Sequence, residues 1–475
     1  MEWVKMKEYA REFMVGVAEM TVEFGKGCRD IVKQSLVNDD SYIVKNFGRD
    51  SYIGKTVREP FAKLFAKLSF FNEYLPEDKD PLHAWSVIFF VSILAFLALY
   101  ANFECDPYAA AAPVKQVFVH PPSATRVVLP DGRYMAYKEQ GVSSHKARFS
   151  VIAPHSFLSS RLAGIPGVKD SLLEEFGIRL LTYDLPGFGE SDPHPNRNLE
   201  SSATDMAFLA NALDVDKFWV VGYSSGSMHA WAALRYIPDR LAGAAMFAPM
   251  VNPYDPIMTK EERRRTWKKW TRKRKFMYFL ARRFPRLLAF FYRRSFLSGK
   301  HGQIDRWLSL SLGNRDKALM EDPIYGEFWQ RDVEESIRQR NVKPFMEEAA
   351  LQVANWGFSL SDLKLQKRKQ SSNLLSWLKS MFTETEEYMG FLGPIHIWQG
   401  MDDKVVPPSM TDFVHRLLPG AAVHKLPYEG HFTYIYFCHE CHRQIFTTLF
   451  GTPQGPLSIS IEVDQATLEE TNIEQ

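Results

Sequence analysis

Cysteine is scarce in this chain: four residues, Cys28, Cys105, Cys438 and Cys441, among 475. So few, so widely scattered, exclude a disulfide-stapled scaffold and weakly favour a reducing compartment. Charge of one sign is lacking too. Lys and Arg number 58 against 56 Asp and Glu, a formal +2 that gives no global pull on nucleic acid, so any electrostatic partner must be read from local patches. No long apolar stretch occurs before about residue 80, so the sequence reads as starting without a secretory signal. No Asn-x-Ser/Thr glycan acceptor follows residue 103.

What is present is a folded composition, 45% hydrophobic and 24% charged, long enough for one large domain or two to three modules. Residues 1–80 mix both charges with apolar residues at helical spacing, as in "EYAREFMVGVAEMTVEF", and read as an N-terminal helical region. The run "PLHAWSVIFFVSILAFLALYANF", residues 81–103, contains no Asp, Glu, Lys or Arg. At about 1.5 Å per residue it spans a hydrocarbon core of about 30 Å and reads as a single transmembrane helix; the competing reading is a buried core helix. Lys63, Lys67 and Lys79 before the run, against Lys115 after it, place the N-terminus in the cytosol. The missing glycan acceptors instead favour a cytosolic C-terminal region, so topology stays open. An endomembrane such as the endoplasmic reticulum, or the plasma membrane, is the expected location.

A linker at 104–124, with "AAAAPVKQ" and "HPPSA", leads into a long alternating pattern. "TRVVLPDGRYMAYKEQG" predicts two strands joined at Pro-Asp-Gly, and "FSVIAPHSF" a short apolar strand. "SRLAGIPGVKDSLLEEFG" predicts a helix, "IRLLTYDLPGFGESDP" a strand entering a Gly-Pro loop, and "LESSATDMAFLANALDV" a helix. "KFWVVGYS", "SGSMHAWAALRYIPDRL" and "AGAAMFAPMVNP" continue as strand, helix and strand. Short apolar strands separated by amphipathic helices predict an α/β fold with a mostly parallel sheet covered on both faces.

Within that pattern, "VVGYSSGS" puts Ser224 between Gly222 and Gly226, at the end of a strand and the start of a helix. Small residues suit a sharp turn that exposes a serine hydroxyl, and ligands of such sheets bind at the carboxyl ends of strands. A serine needs a base to take its proton and a third group to orient the base. "GPIHIWQGMDDKVVPP" and "AAVHKLPYEGHFTY" supply aspartates and His431 at the ends of two later strands. Taken singly, the aspartates suit a solvated turn and His431 an ordinary loop. In the order Ser, Asp, His they suit a hydrolytic triad.

Residues 125 to about 450 resemble the α/β-hydrolase fold superfamily, in particular its membrane-anchored plant members. The matching pieces are "DGRYMAYKEQG", "PHSFLSSR", "YDLPGFGESDP", "GYSSG", "GMDDKVVP" and "EGH". The resemblance implies Ser224 as nucleophile, His431 as general base and Asp403 as its acid, through Gly400, Asp403, Val406 and Pro407; Asp402 is one position off. It implies an oxyanion hole of the Phe157 and Ser225 backbone amides, and no cofactor or metal. His155-Ser156 departs from the usual His-Gly. The core then comprises 125–252 and 391–451, interrupted by a helical cap at 253–390.

From Lys260 to Lys300 the cap holds sixteen Lys and Arg against two Glu. They interleave with Trp267, Trp270, Phe276, Tyr278, Phe279, Phe290, Phe291 and Tyr292. Cations beside rings suit a lipid headgroup layer, which is favoured over nucleic acid by the apolar run at 81–103. The competing reading is a lid whose rings cover the site and whose charges are solvated. "CHECH", residues 438–442, matches a haem or metal motif but lies in a predicted helix, "FTYIYFCHECHRQIFTTLF", and neither ligand is expected. Residues 452–475 read as a disordered tail. The functional expectation is a membrane-anchored serine hydrolase cleaving an ester-like bond in an apolar, lipid-derived substrate. The alternative is a ligand-binding receptor or scaffold that keeps the triad without turnover. Epoxide hydrolase chemistry is disfavoured, since those relatives carry aspartate at the nucleophile position.

Overall fold

The computed structural model of the chain describes residues 117–297, 312–363, 366–367 and 388–458. The chain divides into two units, Met1–Ala112 and Pro113–Gln475, and the described residues belong to the second. The expected N-terminal helical region, the apolar run at 81–103 and residues 459–475 of the expected disordered tail lie outside the described residues. The first part of that tail, 452–458, is instead tied to the core, the Gly455 amide donating to the Glu175 carbonyl and the Leu457 amide to the Lys146 carbonyl. Among the described residues no helix is long and apolar enough to cross a membrane.

Eight strands form one sheet: β1 (Thr125–Val128), β2 (Tyr134–Gly141), β3 (Phe149–Pro154), β4 (Ile178–Tyr183), β5 (Phe218–Tyr223), β6 (Leu241–Phe247), β7 (Ile395–Gly400) and β8 (Ala422–Leu426). Their spatial order is β1-β2-β4-β3-β5-β6-β7-β8. The Pro-Asp-Gly turn joins β1 and β2 antiparallel, with Gly132 at a φ of 85° that favours glycine. β2 runs antiparallel to β4, and the remaining neighbours pair in parallel. Every residue of β4 is buried, as a strand covered on both faces requires.

Among the first six strands lie α1 (Asp170–Phe176), α2 (Leu199–Ala212) and α3 (Ser227–Tyr236). Between β6 and β7, where a helical cap is expected, come α4 (Lys260–Lys269), α5 (Arg272–Arg283), α6 (Pro285–Phe296), α7 (Asn314–Met320), α8 (Pro323–Ser336) and α9 (Lys343–Val353). Helices α10 (Pro408–Leu417) and α11 (His439–Phe450) complete the core.

Two expected helices are shorter than their apolar spacing predicts, and for one reason. Gly164 and Gly167 take φ of 52° and 77°, which delays α1 to Asp170, and Phe437 at φ 55° delays α11 to His439. The two breaks face each other: a Cβ on Gly167 would lie 2.5 Å from the Phe437 ring, and the Phe437 amide donates to the Pro166 carbonyl. Helical periodicity carries no trace of that long-range contact. The cysteines are too few for a disulfide-stapled scaffold, yet Cys438 and Cys441 are joined in a disulfide across the first turn of α11, which takes both sulfurs of the "CHECH" motif out of metal ligation.

Buried polar contacts fix the cap to the core. Asp332 of α8 accepts from Ser159 Oγ and from the amide and hydroxyl of Ser160, at 2.7, 2.9 and 2.6 Å. Arg161 bridges Asp184 and Glu190 of the core to Glu335 of α8. On the far side, Thr266 of α4 lies 2.7 Å from Ser409 of α10, and Glu262 pairs with Arg416 at 2.7 Å. Burial pushes the Asp332 carboxyl up to about 7 and that of Asp184 up to about 6.

Candidate active site

Ser224 sits where β5 turns into α3, at a φ of 52°. That left-handed backbone is uncommon for a residue with a side chain and is held here by its surroundings. The flanking glycines have a steric cause. A Cβ on Gly222 would lie 2.7 Å from Ser227 Cα, and one on Gly226 would lie 2.6 Å from the Pro154 carbonyl oxygen. The turn is also tied down by the Met250 amide, which donates to the Ser224 carbonyl at 3.0 Å.

The loops after β7 and β8 bring two further residues to this serine. His431 Nε2 lies 3.0 Å from Ser224 Oγ, and His431 Nδ1 lies 2.7 Å from Asp403 Oδ2. Asp403 and His431 are both buried. The other oxygen of Asp403, Oδ1, accepts the amides of Val405 and Val406, so the carboxylate has one fixed orientation. Asp402 points elsewhere, half-exposed, with Lys404 at 3.9 Å. With Nδ1–H donated to Asp403, Nε2 is the nitrogen left to accept the serine proton.

The loop after β3 approaches from the other side. Buried His155 is locked at both nitrogens: Nδ1 lies 2.8 Å from the Ser156 carbonyl oxygen, and Nε2 accepts the Leu185 amide at 3.0 Å. Burial pushes its imidazole down to about 3, so it is neutral and serves as a loop fastener. The Phe157 amide, the expected oxyanion donor, reaches the elbow but donates to Ser225 Oγ at 2.7 Å. Ser225 therefore contributes a side-chain oxygen to this corner as well as its own backbone amide, which the sequence pattern does not indicate.

Two residues outside the expected set shape the histidine loop. Asp316, the third residue of α7, accepts the His431 and Phe432 amides. Tyr223 Oη donates to the His431 carbonyl at 3.2 Å while its ring lies 5.0 Å from the imidazole. Nothing near residue 316 in the sequence marks it as part of a site.

A cavity opens over Ser224 and His431, walled by apolar side chains including Phe157, Met250, Met277, Tyr292 and Trp329. The cap aromatics divide into two sets. Trp270, Tyr278 and Tyr292 are at most 7% exposed and pack inward, as a lid requires. Phe279, Phe284, Leu287 and Phe290 are 39–56% exposed on α5, α6 and the turn between them.

Over 72 residues the chain is 32% identical to epoxide hydrolase 2 from Siraitia grosvenorii; the stretch covers 14% of this chain and spans 23% of that protein. Among solved structures, a thermophilic esterase from Thermogutta terrifontis aligns over 70% of this chain and 100% of its own, at 18% identity and a TM-score of 0.41. An esterase from a Rhodococcus species aligns over the same shares at 18% identity and a TM-score of 0.44. Residues 150–437 match the alpha/beta hydrolase fold family. That span takes in the Ser224 elbow, the Phe157 loop, Asp403 and His431 together with strands β4 to β8, and the chain belongs to the alpha/beta hydrolase fold family.

Proposed function

We propose that this chain is a serine hydrolase that cleaves an ester-like bond in an apolar acyl substrate. The supporting observation is the relay from Ser224 Oγ through His431 to Asp403, at 3.0 and 2.7 Å, on the floor of an apolar cavity. His431 takes the serine proton as Oγ bonds to the carbonyl carbon and the C=O electron pair moves to oxygen. Return of that pair breaks the ester C–O bond, and the alcohol leaves with the proton from His431. Water repeats the sequence on the acyl-enzyme, releasing the acid and restoring Ser224. Asp403 holds the imidazole and stabilises its cation, and the Phe157 and Ser225 amides are assigned to the oxyanion. The scheme needs no cofactor or metal.

Epoxide opening suits this site poorly on chemical grounds. A serine hydroxyl attacking an epoxide carbon would leave an ether that water does not cleave, whereas a carboxylate leaves an ester that it does. A lipid surface is the partner we assign to the cap, with the 81–103 run as anchor in an endoplasmic reticulum or plasma membrane. The support is the exposed Phe279, Phe284 and Leu287 beside exposed Arg272, Arg282, Arg286 and Arg293. Exposed apolar side chains would gain nothing from a nucleic acid backbone.

A second reading, a receptor or scaffold without turnover, is favoured by the Ser225 hydroxyl that takes the Phe157 amide. A fluorophosphonate probe on the purified full-length chain separates the two. The hydrolase reading requires labelling at Ser224 and turnover of an activated ester, both lost in Ser224→Ala. A folded protein that stays unlabelled and inert sinks it.

A further inference from the structure

We propose that the ester taken by this site carries an anionic group, a phosphate or carboxylate, which Arg274 binds on the cavity wall; the inference rests on the hydrolase reading above. Apart from the corner of Ser156, Ser224, Ser225 and His431, and Gln352 of α9, the polar lining of the largely apolar cavity over Ser224 lies at the start of α5, where Thr271, Lys273 and Arg274 stand. None of the described lining residues is Asp or Glu. An apolar acyl chain therefore has its place, and so does a negative charge.

Arg274 is held ready for a ligand rather than neutralised. Its guanidinium lies 5.1 Å from the Trp270 ring centroid and 5.4 Å from that of Tyr278, and one N–H donates to Tyr278 Oη at 3.0 Å. Stacking and this bond fix the fork while using one of its five donors. Arg264 and Arg265, a helix earlier, both pair with Glu261 at 2.9 Å, whereas Arg274 has no carboxylate partner among the described residues.

The helix itself is charged against its dipole. Helix α4 opens conventionally, with Glu261 and Glu262 in its first turn. Helix α5 opens with Arg272, Lys273, Arg274 and Lys275 and no acid in that turn. Cations at the positive end of a helix are unfavourable, and local rules broken in this way concentrate at functional sites. An anion bound by Arg274 would relieve the mismatch. Arg274 and Ser224 line one cavity, so one ester can present its anion to the first and its scissile carbonyl to the second. Hydrolysis adds one water and yields a carboxylic acid and an alcohol, one of which carries the extra charge.

The test compares matched octanoyl esters, short enough to stay monomeric, on full-length protein in neutral detergent without vesicles. One pair is octanoyl-glycerol against octanoyl-glycerol phosphate, and a second puts a carboxylate at the far end of the acyl chain. The expected result is a kcat/KM ratio favouring an anionic member about tenfold or more at low salt, shrinking at 0.5 M NaCl. Arg274→Gln should bring that ratio down to about one, a loss of about tenfold or more, with Arg274→Lys between the two. A wild-type ratio near one in both pairs, or a ratio that survives Arg274→Gln, overturns the proposal. If Ser224 takes no fluorophosphonate and no ester turns over, the hydrolase reading has failed separately. Binding of the same pairs to Ser224→Ala protein, read by tryptophan fluorescence, then decides: an Arg274-dependent preference for the anionic member supports the site, and equal binding removes it.

Discussion

Asp316, from cap helix α7, accepts the backbone amides of His431 and Phe432 at 2.8 and 2.9 Å, so a residue of the insertion holds the histidine loop of the core. The side chain is buried; burial pushes its carboxyl up while the two amides draw it down. Gly430 makes the approach possible, since a Cβ there would lie 2.4 Å from both carboxylate oxygens. Asp316 of the cap thus joins Tyr223 of the core in holding the loop that carries His431.

Asp316→Asn keeps one acceptor oxygen and turns an amide donor toward the second backbone N–H. We expect kcat on an activated ester to fall about tenfold, the worth of one buried hydrogen bond. The rate of fluorophosphonate labelling should fall with it while thermal unfolding stays cooperative. Unchanged labelling would mean that the loop holds its place without the cap.

Ser224→Ala and His431→Ala should each abolish turnover, because nucleophile and base act as one unit. Asp403→Asn should be severely impaired, and Asp402→Asn close to wild type, since the Asp402 carboxylate is half-exposed beside Lys404. Steady-state kinetics on one soluble ester settles the assignment, and a damaging Asp402→Asn would reverse it.

Ser225 Oγ accepts the Phe157 amide, which the proposed mechanism assigns to the tetrahedral oxyanion. On that mechanism, either the hydroxyl rotates away during each turnover or it weakens the hole. Ser225→Ala removes the competitor and keeps the backbone, so acylation should speed up about fivefold, one modest hydrogen bond. Stopped-flow release of the leaving group measures it directly. A slower variant would show instead that the hydroxyl itself stabilises the oxyanion.

The hydrogen-bonded chain from Ser224 through His431 to Asp403 was legible in the sequence because each residue follows the end of a parallel strand, a place set by short apolar runs that local pattern reveals. Asp403 could be separated from Asp402 only through the resemblance to the α/β-hydrolase pattern that places Gly400, Asp403, Val406 and Pro407; in the structure Asp403 accepts the Val406 amide. Asp316 could not be found that way: it lies 115 residues before His431 and reaches it only through cap packing. The late starts of α1 and α11 share that cause, since Gly167 and Phe437 break their helices against each other. In the cap, composition showed cations and rings but not which rings face inward.

Asp332 gives the cap junction a pH dependence whose sign is fixed by its raised carboxyl, near 7 against an ordinary value of 3.8. A carboxyl raised on folding contributes stability that is complete below about pH 4 and is lost as pH rises through about 7. Neutral His155, pushed down to about 3 from 6.5, acts oppositely, its contribution being lost as pH falls through about 3. The difference between wild type and Asp332→Asn isolates the first effect. Asp332→Asn should gain on the wild type from pH 4 to 7 by on the order of a few kcal/mol in urea unfolding. A constant difference across that range would show that Asp332 is charged throughout.

The outward side chains of the cap offer the sharpest test of a lipid surface. Arg263 donates to the Asp255 carbonyl, and Arg264 and Arg265 pair with Glu261, so the cations of α4 are partly engaged within the protein. Phe279 and Leu287 are instead exposed, next to exposed Arg282 and Arg286. Anionic vesicles should raise turnover of a long-chain ester by the wild type, and 0.5 M salt should shrink the gain, because attraction between surface charges is screened within about 10 Å already at 0.1 M. A short soluble ester should show little of either. Phe279→Ser with Leu287→Ser removes the apolar contact without touching the charges, and Arg282→Gln with Arg286→Gln does the reverse. Both pairs should lose most of the vesicle gain if rings insert while cations hold the headgroups. Loss in the charge variant alone would mean electrostatic adsorption without insertion, and full stimulation in both would leave the cap as a lid with solvated charges.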